Sequence, residues 1–172
     1  MADKILEILS YSIPSLITGL IAYYFFLGHT KSEENTRNYR LLKENQKAAL
    51  PLRLQAYERM TLFMERINPS KLLVRVTPTS DDKDLYVQKL IQSIEQEFEH
   101  NLAQQIYITE ECWSVIVTSK NATTHIIKKT AENIDVKTAQ NLREAILNRM
   151  VKSAPPSNTA LSFIKEEVGQ LF

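Results

Sequence analysis

The 172-residue chain has a single cysteine, Cys112, and only three glycines. A lone cysteine excludes an intramolecular disulfide and a zinc site built from several cysteines. So few glycines argue against the glycine-rich turns of dinucleotide-binding and phosphate-binding loops. The chain also lacks an excess of one charge, since 21 Lys and Arg balance 20 Asp and Glu. This balance argues against a dedicated nucleic-acid binder, because such proteins usually carry a clear basic excess.

Motifs that mark catalytic sites are missing from the sequence as well. It contains no glycine-rich phosphate loop, no H-E-x-x-H zinc motif and no G-x-S-x-G nucleophile turn. Cys112 follows Glu110 and Glu111, and neighbouring carboxylates are expected to raise the pKa of its thiol instead of activating it. We therefore expect a protein that is not an enzyme and holds no cofactor.

One long stretch lacks charge altogether: residues 8–28 read ILSYSIPSLITGLIAYYFFLG. A helix of ~20 mostly apolar residues can cross the ~30 Å hydrocarbon core of a bilayer. Aromatic residues lie near both ends of the run, as they do at membrane interfaces. We therefore predict a transmembrane anchor over residues 1–29 that contacts the lipid bilayer through residues 8–28. A cleaved signal peptide and a buried helix are the weaker alternatives, because the run is long and apolar on all sides.

Basic residues that flank this run predict its orientation. Only Lys4 precedes it, and the residues that follow are Lys31, Arg37, Arg40, Lys43 and Lys47. Since cytoplasmic flanks are enriched in Lys and Arg, we expect a single-pass protein of the inner (cytoplasmic) membrane. Its N-terminus would lie outside and its C-terminal domain in the cytoplasm.

Small and hydroxyl-bearing residues inside the run are candidates for contact with another membrane helix. They are Ser12, Ser15, Thr18 and Gly19. Ser15 and Gly19 are four residues apart, a spacing that lets a second helix approach closely. The alternative is that these residues contact nothing, since small residues are common in membrane helices and hydroxyls can bond to their own helical turn.

Helical patterns continue beyond the uncharged run. Residues 30–50 are rich in charge and sparse in apolar side chains, which predicts a solvated helical connector. Pro51 suits the first turn of a new helix. From there to residue 172, apolar residues recur every three or four positions and predict the inner faces of the helices. They include Leu52, Leu90, Ile94, Leu102, Ile116, Ile127, Leu142, Ile146 and Ile164. The predicted fold is all-α: one N-terminal transmembrane helix, a charged helical connector, and a cytoplasmic bundle of about five helices over residues 51–172.

Capping residues indicate where these helices begin. The Thr79–Asp82 stretch predicts one start, and further helices are expected from about Thr109 and about Asp135. Ser157 or Asn158 is expected to cap a final helix after two prolines. Residues 70–78 fit either an extended linker or a short helical turn.

A polar cluster on one predicted helix is the most suggestive candidate site. The candidate residues are Glu97, His100, Asn101, Gln104 and Gln105, together with Tyr57 and Arg59 on an earlier helix. We expect them either to lock the two helices together through a polar network or to face a protein partner. Glu97 and His100 also have the i, i+3 spacing of di-iron bundles. One chain lacks the further ligands for such a site, so a metal-dependent enzyme is a minor alternative.

Part of this cluster carries a resemblance to a known family. The motifs are Glu97-Phe98-Glu99-His100-Asn101, Gln104-Gln105-Ile106-Tyr107 and Trp113, preceded by LQAYER at residues 54–59 and by the apolar N-terminal helix. On these motifs, the chain from Ile8 on resembles an uncharacterised family of short single-pass membrane-anchored proteins of Bacteroidota. The resemblance implies placement in a bacterial inner membrane, and it implies no known activity, cofactor or partner.

These observations predict a membrane-anchored, non-enzymatic interaction protein. We expect a scaffold, an assembly factor or an accessory subunit of an inner-membrane protein complex. The expected partners are membrane proteins or further copies of the chain, and no nucleic acid. The alternative is a ligand-binding sensor or regulator, because the weakly apolar residues 119–124 could line a cavity between helices.

Overall fold

The structure is a computed structural model that describes the backbone of residues 2–171 and most of their side chains. The side chains at 2–12, 27, 29–32, 34–35 and 45–46 lie outside the description. Six α-helices and one 3₁₀ helix are described, and within residues 2–171 the only β-type pairing is an isolated bridge between Asp82 and Thr138. They are α1 (Ala2–Ile67), α2 (Pro69–Arg75), α3 (Lys83–Asn101), the 3₁₀ helix (Leu102–Ile106), α4 (Glu110–Ala131), α5 (Ala139–Lys152) and α6 (Pro156–Gly169). The predicted all-helical fold is confirmed.

The chain divides into two compact units, Met1–Ala49 and Leu50–Phe172. We call them the N-terminal unit and the C-terminal unit. The N-terminal unit is helical from residue 2 onward, including residues 30–49 with their mixed charges. The C-terminal unit begins inside α1 and contains all of the other helices.

The predicted transmembrane anchor is wrong for the part of the chain that the structure describes. No helix offers an apolar stretch there that is long enough to span a bilayer. A crossing needs ~20 mostly apolar residues to cover the ~30 Å hydrocarbon core, and the uncharged run does not supply them among the described residues. Four hydroxyl-bearing residues within it lower its hydropathy further: Ser15, Thr18, Tyr23 and Tyr24. The single-pass topology, the inner-membrane location and the orientation are withdrawn with the anchor.

Pro51 does not begin a helix, because α1 continues through it to Ile67. Proline inside a helix removes one backbone hydrogen bond and costs about 3 kcal/mol. The following turns offset that cost, since they bury one full face of the helix. The buried residues are Ala56, Tyr57, Met60, Phe63, Met64 and Ile67, each at most 2% exposed.

The core of the C-terminal unit collects the apolar faces of the other helices. The predicted faces are confirmed at Leu90 and Ile94 of α3, Ile116 and Ile127 of α4, Leu142 and Ile146 of α5, and Ile164 of α6. Two residues of the predicted faces, Leu52 and Leu102, are exposed instead. Leu52 lies near the start of this unit and Leu102 opens the 3₁₀ helix, which has no buried residue.

Helix starts follow the predicted capping chemistry in two places. Asp82 Oδ1 accepts hydrogen bonds from the backbone N–H groups of Asp84 (2.8 Å) and Leu85 (3.1 Å). Thr109 Oγ1 accepts one from the N–H of Cys112 (3.2 Å) at the start of α4. These bonds satisfy donors that the first helical turn leaves without partners.

Other helix ends differ from the expectation. Residues 70–78 resolve mainly into α2, because Asn68 caps Ser70 and Pro69 occupies the first helical turn. The helix predicted from Asp135 begins only at Ala139, after Thr138 accepts from the N–H of Asn141 (3.1 Å). The last helix begins at Pro156, and neither Ser157 nor Asn158 is its cap.

Helices α4 and α6 form an extensive helix pair in this unit. The hydroxyl of Thr109, just before α4, donates to the carboxylate of Glu167 near the end of α6. The start of one helix therefore lies beside the end of the other, so the pair is antiparallel. Small buried side chains on both helices, Ser119 and Thr123 on α4 and Ser157 and Ala160 on α6, leave room for close packing.

Candidate functional site

The N-terminal unit exposes a continuous set of large apolar side chains on α1. Between Ile13 and Tyr24, each of them is 48–69% exposed. At 3.6 residues per turn they occupy an arc of about 160° on one side of the helix. We call this surface the apolar stripe. Its members are Ile13, Leu16, Ile17, Leu20, Ile21, Tyr23 and Tyr24; Phe25 and Phe26, which follow it, are 76% and 72% exposed and lie outside this arc.

A groove of about 420 Å³ borders the apolar stripe, lined by Ser15, Leu16, Gly19, Leu20 and Tyr23. Its floor is open at Gly19, because a Cβ atom built there would meet nothing within 4 Å beyond the adjoining residues and backbone of its own helix. The groove is therefore a surface that a neighbouring helix can approach closely.

The structure separates the four residues predicted to contact a second helix. Ser15 and Gly19 line the groove. Thr18 does not line it, and its hydroxyl donates to the carbonyl of Pro14 (2.8 Å) within the same helix. The side chain of Ser12 lies outside the described residues. A contact at this surface therefore depends on apolar packing and close approach, with Thr18 already satisfied.

The predicted polar network contains one strong lock. Glu97 Oε1 on α3 forms ion pairs with Arg66 (3.2 Å) in the last turn of α1 and with Arg75 (3.1 Å) at the end of α2. Asn101 supports it by donating from Nδ2 to the carbonyl of Glu97 (2.7 Å). Glu97 thus ties three helices together, but its partners are these two arginines and not Tyr57 or Arg59.

The remaining members of the predicted network do not come together. His100 and Gln105 are exposed, Gln104 is half-buried in the 3₁₀ helix, and Arg59 is exposed on α1. Arg59 lines a separate surface groove of about 350 Å³, whose lining includes Glu58 and Glu65. Across the described residues, no three His, Cys, Asp or Glu side chains are grouped as a metal ion requires. Among these residues, Glu97 and His100 have no third ligand beside them.

A second polar cluster, not predicted from the sequence, surrounds Glu167 in α6. One carboxylate oxygen accepts from Thr109, and the other is buried with no hydrogen-bond partner among the described residues. Tyr57 accepts a hydrogen bond from Arg53 (3.3 Å), and Arg53 also donates to the carbonyl of Tyr107 (3.2 Å). These residues come from α1, the segment before α4, and α6, so only the tertiary fold assembles them.

Cys112 belongs to this cluster and is fully buried. Burial raises the pKa of its thiol to about 12, and the neighbouring Glu167 carboxylate adds to the rise. The expected rise is confirmed, but its cause differs, since Glu110 and Glu111 are exposed. The thiol therefore stays protonated near neutral pH and is a poor nucleophile. Burial likewise raises the pKa of Tyr57, and Arg53 partly offsets the rise.

A third contact joins α3 to α4 around a buried lysine. Lys120 is 8% exposed, and its ammonium lies 2.8 Å from both carboxylate oxygens of Glu95. It also lies 4.6 Å from the centre of the Phe98 ring, which stacks on Trp113 at 5.3 Å. Ion pairing and cation–π attraction together keep this charge stable inside the unit.

One family model matches nearly the whole chain. Residues 3–171 match the model of DUF7935, a family of unknown function. The chain belongs to this family. No curated protein and no solved structure matches the chain. Because the family is described without an activity or a partner, it does not test the resemblance to membrane-anchored proteins of Bacteroidota, and a function has to be argued from the surfaces described above.

Proposed function

We propose that the protein is an interaction protein whose apolar stripe binds an apolar helical surface of another polypeptide chain. The C-terminal unit is the folded body that this contact recruits or positions, as in a scaffold or an assembly factor. The observation that carries the proposal is the exposure of seven large apolar side chains on one side of α1.

The size of the apolar stripe is the first support. Full burial hides about 150–250 Å² of an aromatic side chain and about 60–120 Å² of a Leu or Ile, so half to two-thirds exposure leaves roughly 500 Å² on the stripe. The largest apolar patch on an ordinary monomer covers about 300–600 Å², and larger patches mark interaction sites. The stripe lies in the upper part of that range, where apolar patches are often functional.

The chemistry of the stripe is the second support. It contains no charged residue, and the Thr18 hydroxyl behind it is satisfied inside its own helix. A partner would gain little from hydrogen-bonding groups here, whereas an apolar helix face could pack along the groove at Gly19. Helical partners are thus favoured over peptides bound by backbone hydrogen bonds.

Several ionisable groups of the C-terminal unit are paired or buried, which supports a scaffold role. Glu97 pairs with two arginines and Lys120 with Glu95. The Cys112 thiol is buried and held in its protonated form. These groups stabilise helix packing, and their arrangement offers no activated nucleophile with a base beside it.

A ligand-binding sensor is the alternative, and fewer observations support it. Thr123, in the stretch proposed to line a cavity, donates its hydroxyl to the carbonyl of Ser119 (2.9 Å) within α4. The hydroxyls of Thr124 and Ser157 are buried without partners among the described residues. Two such hydroxyls could hold a water molecule or a small polar group.

The test compares the full-length tagged protein with two variants. The double variant Leu16→Gln/Leu20→Gln places polar groups in the apolar stripe, and Thr18→Gln/Ala22→Gln makes the same change on the opposite side of the helix. We expect proteins that co-purify with the wild type, including further copies of the chain, to be lost from the first variant and retained by the second. Equal recovery with both variants would contradict the proposal. Circular dichroism and thermal unfolding check that both variants keep the folded C-terminal unit.

A further inference from the structure

We infer that α6 is a strap that detaches from α4 and packs back onto it while the other helices of the C-terminal unit stay folded. Every residue that carries this inference belongs to the C-terminal unit, so it stands apart from the apolar stripe. Three features of α6 point to it: polar atoms buried without partners, few large side chains in the core, and an exposed segment that joins it to α5.

The unpartnered polar atoms are concentrated in α4 and α6. Among the described residues, three side-chain oxygen atoms are buried with no hydrogen-bond partner: Oγ1 of Thr124 on α4 and, on α6, Oγ of Ser157 and Oε2 of Glu167. Burial of a polar atom without a partner destabilises the folded state, and water satisfies the atom again when the contact opens. Detachment of α6 therefore relieves an unfavourable contribution at Ser157, near its start, and at Glu167, near its end.

The apolar contribution of α6 to the core is small. Its buried residues are Ser157, Ala160 and Ile164, and only the last of these has a large apolar side chain. By contrast, the turns of α1 over residues 56–67 bury six residues, each at most 2% exposed. The other apolar residues of α6 that reach the core are only partly buried, namely Leu161, Phe163 and Val168. Since hydrophobic stabilisation follows the apolar area removed from water, the core holds α6 less firmly than it holds this part of α1.

The segment before α6 is suited to act as a hinge. Residues 153–155 join the end of α5 to the start of α6, and both Ser153 and Pro155 have extended backbone angles. Ser153 and Ala154 are exposed. Hinges are a few residues at the ends of elements that absorb changes in φ and ψ. Because these two residues lie outside the core, their backbone angles can change while α5 keeps its packing.

Cys112 reports on detachment of α6. The residue is fully buried, and Glu167 of α6 lies beside its thiol. Thr109, just before α4, donates to the same carboxylate. Detachment breaks this hydrogen bond and uncovers the start of α4 with the thiol. Because the chain has a single cysteine, a thiol reagent that labels the native protein measures how often Cys112 becomes accessible.

The experiment labels the full-length protein with N-ethylmaleimide at urea concentrations below the unfolding transition. Urea denaturation followed by circular dichroism gives the free energy of global unfolding of the same protein. We expect Cys112 to be labelled roughly tenfold faster, or more, than global unfolding permits. Its labelling should also depend more weakly on urea, since the opening of one helix exposes less surface than global unfolding does.

A matched control moves the thiol away from α6. Cys112→Ala/Leu90→Cys places it on α3, at a position that is 0% exposed in the wild type. Detachment of α6 leaves α3 folded, so this thiol should be labelled only at the rate that global unfolding of the same variant permits. Hydrogen exchange supplies a second reading: the amides of α6 should exchange together, faster than those of α3, with the free energy that Cys112 labelling gives.

Two serine variants test the cause of the opening. Ser157→Ala removes a buried hydroxyl without a partner, and Ser162→Ala removes an exposed hydroxyl from the same helix. The change in side chain is identical, so the difference between the variants reports on burial. We expect Ser157→Ala to slow the labelling of Cys112 roughly fivefold relative to Ser162→Ala, because its closed state no longer buries an unpaired group.

The alternative outcomes overturn the inference in different ways. Labelling of Cys112 that follows global unfolding in rate and urea dependence, as for Leu90→Cys, would show that α6 does not open separately. Labelling while the amides of α6 stay protected would place the opening elsewhere. Equal labelling of Ser157→Ala and Ser162→Ala would show that the buried hydroxyl does not weaken the contact between α6 and α4.

Discussion

Two stretches of the same helix have similar sequence patterns, but one is exposed and the other is buried. Residues 13–24 and residues 56–67 of α1 both place large apolar side chains at helical spacing. In the first stretch, these side chains are 48–69% exposed. In the second, the six residues of the buried face are at most 2% exposed. Amphipathic spacing thus specifies which side of a helix is apolar, but burial depends on whether other elements of the chain cover that side.

The comparison also separates two kinds of energetic contribution. Burial of the 56–67 face stabilises the C-terminal unit within one chain, since it removes apolar area from water at about 25 cal/mol per Å². The same area on the apolar stripe contributes nothing to folding of a single chain. Its burial free energy becomes available only on association, where it opposes the loss of translational and rotational freedom.

The sharpest way to break this comparison is to truncate one side chain in each stretch. Phe63→Ala should lower the free energy of unfolding of the C-terminal unit by about 3–5 kcal/mol, because the ring is 1% exposed and leaves a cavity. Leu16→Ala should change it by less than about 0.5 kcal/mol, because that side chain is 64% exposed. Urea denaturation of the two full-length variants, followed by Trp113 fluorescence, measures both values. A large loss for Leu16→Ala would show that the stripe packs within its own chain.

The sequence predicted the apolar faces well because periodicity is a local property. The faces containing Leu90 and Ile94, Leu142 and Ile146 are where the spacing put them, and Asp82 and Thr109 cap the helices that they were expected to cap. Absence of charge at residues 8–28 gave the wrong prediction. It favoured a membrane crossing, and among the described residues no stretch is apolar over the length required.

The candidate site was predictable only in part. Glu97 was expected to join its helix to the segment with Tyr57 and Arg59, but its partners are Arg66 and Arg75, two of many arginines that no spacing rule selects. The Glu167 cluster was missed because Tyr57 and Glu167 are more than a hundred residues apart in sequence. Only the antiparallel packing of α4 and α6 brings Thr109 to the Glu167 carboxylate.

A pH titration tests the buried part of this comparison, in the C-terminal unit. The pKa of Cys112 is raised to about 12, so the folded state keeps its proton where the unfolded state releases it. The stability that this provides is complete below about pH 9 and is lost as the pH rises from there towards 12. By pH 10.5 the loss should reach about 2 kcal/mol.

Urea denaturation between pH 8 and pH 10.5 measures this loss in the wild type and in Cys112→Ala. The variant should be less stable at pH 8 but should lose less stability as the pH rises. Part of the alkaline loss should remain, because burial also raises the pKa of Tyr57 and Tyr86. An identical slope in both proteins would exclude Cys112 as the titrating group.

The smallest expected effect compares two carboxylates, one in each unit. Glu97 forms ion pairs with two arginines, and its side chain is 16% exposed, whereas Glu44 on the N-terminal unit is exposed. Glu97→Gln should destabilise the C-terminal unit by about 1–2 kcal/mol, because hydrogen bonds to charged groups are lost, discounted for the partial exposure of both arginines. Glu44→Gln should be nearly neutral. A double-mutant cycle of Glu97→Gln with Arg75→Ala isolates the pair, and additive effects would show that Glu97 does not join α3 to α2.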